Sequence, residues 1–275
     1  MEDRADYSRL RTQDGRGARA KLILFDLDGT LYLDGVPYPG AVELVEKLQA
    51  SDMEYCFLTN NSSMPPCDHC ERLRRIGFTL TPRNVVTSAD GTVDMLRAYG
   101  IGSRIYILGT RRFRAWMEGE GYVHSTDSPQ ALLVAFDKEL TYEKLTEATR
   151  LVLQGIPVFA THPDYVCPPG FPDVGMLLDF FKAARPGVVI EAIAGKPHRW
   201  LCKVLERRFK VTPQEMVMVG DRIATDIAFA CNNQMRSILV RNGEPMPPIR
   251  DVVPTVVAPR IDQMLDEFWP RNLGW

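Results

Sequence analysis

Short apolar runs alternate with amphipathic stretches along almost the whole chain. The runs at 22–25, 55–58, 105–108, 131–136, 158–161, 216–219 and 237–240 are nearly free of charge and bounded by turn residues. Such runs read as strands buried on both faces, as parallel sheets require. Between them, apolar positions recur at helical spacing over 41–49, 67–76, 89–99, 141–153, 176–184, 198–209 and 223–231. Strands alternating with helices of this length predict right-handed βαβ units, and so an α/β fold on a doubly wound, Rossmann-like parallel sheet. No internal repeat or low-complexity segment interrupts the pattern.

The first run ends in Asp26-Leu27-Asp28-Gly29-Thr30. Residues two apart on an extended chain point the same way. Asp26 and Asp28 are therefore expected to emerge together at the carboxyl end of the strand, with Leu27 turned aside. Two carboxylates so close repel, and one takes a proton unless a cation sits between them. Gly29 lets the backbone turn where a side chain would clash. The carboxyl ends of strands are also where open α/β sheets place their ligands.

Three further features follow in order. Phe57-Leu58-Thr59-Asn60-Asn61-Ser62 ends a strand in hydroxyl and amide groups. Gly195-Lys196-Pro197 precedes a helix, and Gly220-Asp221-Arg222-Ile223-Ala224-Thr225-Asp226 ends a strand in a glycine turn with two more carboxylates. Taken singly, the last is a common turn, the lysine a solvated loop residue, and Thr-Asn-Asn-Ser a helix cap. An acidic pair at a buried strand end has no such cheap structural use. The four in this order point to one functional constellation.

Two of these features fall before residue 62 and two after 195, and the stretch between them carries its own β/α pattern, with about three strands, and no comparable acidic cluster. This predicts an inserted α/β domain at 103–190, a core domain made of 21–102 and 191–275, and a mobile arm at 1–20. Gly- and Pro-bearing segments at 100–103 and 184–187 suit the crossings.

Length and composition narrow the class. The chain has 275 residues, enough for one large or two ordinary domains, and a net charge of −2. No basic field points to nucleic acid and no polybasic stretch to a membrane. No apolar run nears the roughly 20 residues that span a bilayer, and the first twenty residues lack the apolar core of a signal peptide. Six scattered cysteines do not form a disulfide framework, which places the chain in a reducing cytoplasm. Cys67-Asp68-His69-Cys70 resembles half a zinc site, but no second half follows, so these read as ordinary helix residues.

The four features, in this order, resemble the motifs of the haloacid-dehalogenase-like (HAD) hydrolase superfamily. The segment 29–41, GTLYLDGVPYPGA, and the GDRxxTD form of the last motif narrow the resemblance. They are similar to the class IIA subfamily of NagD-type, 4-nitrophenylphosphatase and pyridoxal-phosphatase-like enzymes. The resemblance covers about residues 21–260. It implies a Mg²⁺-dependent phosphatase acting on a small phosphorylated metabolite through an aspartyl-phosphate. Asp26 would be the nucleophile, and Asp28 the acid that protonates the leaving oxygen and then the base that activates water. Asp26, Asp221 and the backbone carbonyl of Asp28 would hold the metal, a hard cation suited to oxygen ligands, with Asp226 in support. Thr59, Asn60 and Lys196 would bind the phosphoryl oxygens. An acid at position 28 marks phosphoryl transfer, and dehalogenases lack it.

The insertion resembles the larger (C2) α/β cap of the superfamily, which closes over the site and presents a specificity loop. The matching loop is 160–170, where His162, Asp164 and Tyr165 are the candidate specificity residues. Relatives tend to carry asparagine where this chain has His162, so no asparagine role transfers. After Gly-Lys-Pro they usually continue with Ser or Asn; here His198-Arg199-Trp200 follows. Arg111, Arg112 and Arg114 form a basic cluster that reads as a solvated helix face, with a second anion site as the lesser reading. Exposed strands of the insertion would also allow a homodimer. Two other functions compete. One is a non-catalytic phosphate-binding or regulatory protein on the same fold. The other is a phosphorylatable receiver, which is about half this length and lacks such an insertion.

Overall fold

A computed structural model describes residues 19–51, 53–167, 170–243 and 251–264. The expected arm lies outside them up to residue 18, as do Pro168 and Pro169 of the loop 160–170. The chain divides into two compact units. The first comprises Met1–Phe57, Ile76–Thr79 and Phe209–Trp275; the second comprises Leu58–Arg75 and Leu80–Arg208. The segment 103–190 lies within the second.

In the first unit, parallel strands run in the order Val256–Ala258, Arg236–Val240, Met216–Gly220, Leu22–Phe25 and Glu54–Thr59. The middle of this order is the most apolar part of the chain. Leu22, Ile23, Leu24 and Phe25 are fully buried, as are Met216, Val217, Met218 and Val219 beside them. Burial on both faces is why these strands read as continuous apolar runs. The helix Ala41–Gln49 buries Ala41, Leu44, Val45 and Leu48, one stripe at helical spacing. Gly40 starts it in the left-handed region at φ 79°, and a Cβ there would stand 2.6 Å from Cβ of Asp262. After the strand Met216–Gly220 comes one turn of π-helix, Ile223–Ile227, running into the helix Ala228–Asn232. The expected helix at 223–231 is thus widened at its start, where Asp226 sits.

The second unit holds a five-stranded parallel sheet. Its order is Ile190–Ile193, Val158–Ala160, Leu132–Val134, Arg104–Leu108 and Val123–His124. About three strands were expected here. Val123–His124 is only two residues long and Ile190–Ile193 is partly exposed, so neither shows as an apolar run. Both are edge strands, which natural sheets keep short or polar. Two buried clusters cover the sheet faces. One gathers Ile105, Ile107, Leu133, Phe113, Met117 and Phe159; the other gathers Leu108, Leu132, Val134, Leu151, Val158 and Phe181. Alternate residues of each strand thus serve opposite layers.

Helix starts are chemically marked. Thr87 and Asp90 form a capping box for Ser88–Ala98. Thr110 Oγ1 accepts the Phe113 amide hydrogen at the head of Arg111–Gly119, Thr141 caps Tyr142–Leu153, and Asp173 caps Val174–Ala184. The fold is α/β with parallel sheets, as the alternation predicted.

Candidate active site

The strand Leu22–Phe25 delivers the first acidic pair. Leu27 is buried, whereas Asp26 and Asp28 are half-buried, the alternation an extended chain produces. The Asp26 amide donates to Val219 O at 2.9 Å, fixing the strand end against its neighbour Met216–Gly220. That neighbour ends in the Gly220 turn and supplies Asp221 and Asp226.

One carboxylate oxygen each from Asp26, Asp221 and Asp226 lies within 4.8 Å of the others. Among the described residues this is the only such grouping of acidic, histidine and cysteine side chains. Asp226 is buried, and its Oδ2 accepts the Arg222 amide hydrogen at 3.1 Å. It packs so closely on the preceding turn that a Cβ at position 220 would stand 2.3 Å from its own. Sequence reasoning put Asp226 in a supporting role; the structure brings its carboxylate level with the other two. The Asp28 carboxylate stands apart from this group and accepts a hydrogen bond from the Tyr32 hydroxyl at 3.3 Å.

The cluster is electrostatically unbalanced. Burial first, then the Asp26 and Asp226 charges, push the Asp221 carboxyl up to about 7, against opposing pulls from Thr30 and Arg222. Burial together with like charges raises a carboxyl in this way. An all-oxygen donor set of three carboxylates fits a hard divalent cation better than a thiophilic metal. Thr30 Oγ1 donates to Asp221 Oδ1 at 2.8 Å. Asn242 Nδ2 donates to both Gly29 O and Thr30 O at 2.9 Å, while its Oδ1 accepts the Ile261 amide hydrogen. Asn242 was missed in the sequence. Its one signal is the Asn-Gly turn after a strand, which names a turn but not the loop it braces.

In the second unit, Asn60 and Lys196 meet through backbone and side chain. Asn60 Oδ1 accepts the Lys196 amide hydrogen at 2.8 Å, and Asn60 Nδ2 donates to Lys196 O at 3.0 Å. Nδ2 also faces both carboxylate oxygens of Asp164, at 3.2 and 3.3 Å. Gly195 is required here, since a Cβ would lie 2.5 Å from Asn60 Oδ1 and 2.8 Å from Cβ of His162. Lys196 is 1% exposed, and its Nζ donates to Leu58 O at 3.1 Å. Burying an ammonium costs several kcal/mol unless it is compensated, roughly as for any buried ion. Thr59 is buried, and its Oγ1 accepts the Asn61 amide hydrogen at 3.1 Å.

The loop residues fall into two kinds. His162 is fully buried, with Nδ1 3.6 Å from Asp164 and Nε2 3.6 Å from Asp173. Tyr165 is 53% exposed, and its hydroxyl donates to Asp179 at 2.6 Å. The basic cluster is largely spoken for: Arg111 pairs with Glu139, Arg112 with Asp68, and Arg114 meets His124. The solvated-face reading fits Arg111 and Arg112. Cys67 is exposed and Cys70 buried, both free, while His69 Nε2 contacts Asn61 O.

Comparison with known proteins shows what the chain is similar to. A family model described as haloacid dehalogenase-like hydrolase matches residues 23–123, and a HAD-hydrolase-like model matches 193–264. The glycerol-3-phosphate phosphatase of Gallus gallus is 32% identical over 269 residues, covering 86% of this chain and 85% of that protein. The crystal structure of 4-nitrophenylphosphatase from Thermotoga maritima is 35% identical, with a TM-score of 0.83 over 89% of this chain and 96% of that one. The glycerol phosphate phosphatase of Mycobacterium tuberculosis, solved in complex with calcium, is 26% identical, with a TM-score of 0.78 over 89% and 74% of the two chains.

Proposed function

Because the chain belongs to the haloacid dehalogenase-like hydrolase family, in its NagD and 4-nitrophenylphosphatase branch, we propose that it is a Mg²⁺-dependent phosphatase of a small phosphorylated metabolite. The observation that carries this reading is the convergence of the Asp26, Asp221 and Asp226 carboxylates. Phosphate monoesters resist nucleophiles because they are anionic, and their uncatalysed hydrolysis is among the slowest reactions known. A divalent cation held by the carboxylates of Asp26, Asp221 and Asp226, with the Asp28 carbonyl, would neutralise charge on the phosphoryl group.

In this reading an Asp26 oxygen attacks phosphorus, forming the O–P bond of an aspartyl-phosphate while the ester O–P bond breaks. Asp28 gives its proton to the departing oxygen. A water molecule then loses a proton to Asp28 and attacks phosphorus, and the bond to Asp26 breaks to release inorganic phosphate. Thr59, Asn60 and Lys196 take the phosphoryl oxygens and stabilise the charge that grows on them. Lys196 suits this role as a buried ammonium held by a rigid loop. Residues 103–190 act as the cap, with His162, Asp164 and Tyr165 as its candidate specificity residues.

The substrate class is a phosphorylated polyol or sugar, as the names of the relatives suggest: glycerol-3-phosphate, dihydroxyacetone and acid sugar phosphatases. Six free cysteines support a reducing cytoplasm, and no described helix is long and apolar enough to cross a membrane. The test is phosphate release from 4-nitrophenyl phosphate and a panel of phosphate esters, with Mg²⁺ and then with EDTA. Metal-dependent turnover that Asp26→Asn abolishes is expected. A fully active Asp26→Asn would refute the assignment.

A further inference from the structure

His162 stands out among the buried groups that the catalytic reading does not use. It is 0% exposed, and neither ring nitrogen has a hydrogen-bond partner. A buried polar group without a partner is destabilising, so its retention needs a reason. The reason lies on either side of the ring. Nδ1 faces Asp164 and Nε2 faces Asp173, each at 3.6 Å. Both neighbours are acceptors, so the two ring nitrogens are set between two carboxylates. Neither carboxylate is free to move far. Asp173 Oδ1 accepts the Val174 amide hydrogen at 2.7 Å as the cap of Val174–Ala184. The Asp164 carbonyl accepts the Gly175 amide hydrogen at 2.7 Å, and Tyr165 O accepts that of Asp173 at 2.9 Å. A Cβ at Gly175 would stand 2.5 Å from Pro163 O, so the loop is seated directly on the helix start.

Asp164 then reaches the other way, to Asn60 Nδ2, and Asn60 holds both backbone polar groups of Lys196. We propose that His162 is a positioning residue. With its ring nitrogens set between Asp164 and Asp173, it keeps the Asp164 carboxylate turned to Asn60, and so fixes the pair Asn60 and Lys196 in the geometry that binds the phosphoryl group. This rests on the phosphatase reading for its consequence, and on the geometry of the second unit alone for its structural content.

The experiment uses the full chain with His162→Phe, Asp164→Asn and the double variant. Phenylalanine keeps an aromatic ring in place and removes both ring nitrogens. His162→Phe is expected to raise KM, and the inhibition constant of inorganic phosphate, about tenfold, with kcat reduced less than KM is raised. The double variant is expected to cost no more than the larger single effect, because both changes act on one contact. It also removes the carboxylate that would face an apolar ring, which keeps the test open should the single variant fold poorly. Exchange of the Asn60 side-chain amide protons, followed by NMR, reads the same contact without turnover. Faster exchange in His162→Phe supports the proposal. Unchanged exchange with phosphate inhibition within twofold of wild type overturns it, as does strict additivity in the double variant. Wild-type protein inactive on every ester would dismiss the phosphatase reading, while the amide measurement would still decide the role of His162.

Discussion

The Thr30 hydroxyl donates to Asp221 Oδ1 across 2.8 Å, joining residues 191 positions apart in the chain. The bond ties the loop after the first strand to the loop after Met216–Gly220 and aims one Asp221 oxygen. Thr30→Val keeps the shape and removes the donor. A hydrogen bond to a charged group contributes about 1.5–3 kcal/mol. Part of that is recovered when a cation binds, so the apparent Mg²⁺ affinity is expected to fall about tenfold, or ~1.4 kcal/mol. Saturating Mg²⁺ should restore most of kcat. Activity titrated against Mg²⁺ checks this, and superimposable curves for the two proteins would dismiss the role.

Gly29 makes the same approach possible from the backbone side. It sits at φ 93°, and a Cβ there would lie 2.4 Å from Asp221 Oδ2. Gly29→Ala therefore combines a left-handed backbone with a collision on a carboxylate proposed to hold the metal. The conformational part alone costs on the order of 1 kcal/mol. Turnover is expected to fall at least a hundredfold, with the Tm lowered by several degrees. Near wild-type kcat/KM in a folded Gly29→Ala protein would show that the Asp221 position is not critical.

Asp221 also links stability to pH when metal is removed. Its carboxyl is raised to about 7 in the folded chain, by burial and then by Asp26 and Asp226, against about 3.9 for a free aspartate. Between those two values the folded state holds a proton that the unfolded chain has lost. Stability must then fall as pH rises from about 4 to 7 and stay low above that. In EDTA the wild-type Tm is expected to drop from pH 5 to pH 8, by a loss of about 2 kcal/mol after allowance for partial exposure. Asp221→Asn should flatten that slope, and Mg²⁺ at pH 8 should raise the wild-type Tm more than the variant's. A wild-type Tm in EDTA that rises across this range would contradict the account.

The sequence was most readable where one physical demand dominated. Leu22–Phe25 and Met216–Gly220 are buried on both faces, so their composition announces a central strand. Asp26 and Asp28 flank a buried Leu27, so alternation alone placed both beyond the strand end. The edge strand Val123–His124 is too short to carry a pattern, and it went unseen. Asp226 was read as a supporting residue, and helical spacing after Asp221 does not reveal the π turn Ile223–Ile227 in which it lies. His162 carried a loop residue's signal, because its partner Asp173 lies eleven positions on, and only the fold sets the ring between two carboxylates. Long-range pairings of single polar groups leave no periodicity to detect.

Asn242 shows how such a pairing can be probed. Its amide bridges Gly29 O and Thr30 O on one side and the Ile261 amide on the other, in a residue held at φ 46°. Asn242→Ala removes three hydrogen bonds and places a Cβ-bearing residue without local compensation in the left-handed region. Asn242→Gly removes the same bonds and relieves the backbone. The alanine variant is expected to lose about 2–3 kcal/mol of stability and the glycine variant roughly 1 kcal/mol less, each measured by urea denaturation. Both should lower kcat to a similar extent, since the brace on the Gly29–Thr30 turn is lost in each. If glycine restored turnover as well as stability, backbone strain rather than the three hydrogen bonds would govern the loop that carries Asp28.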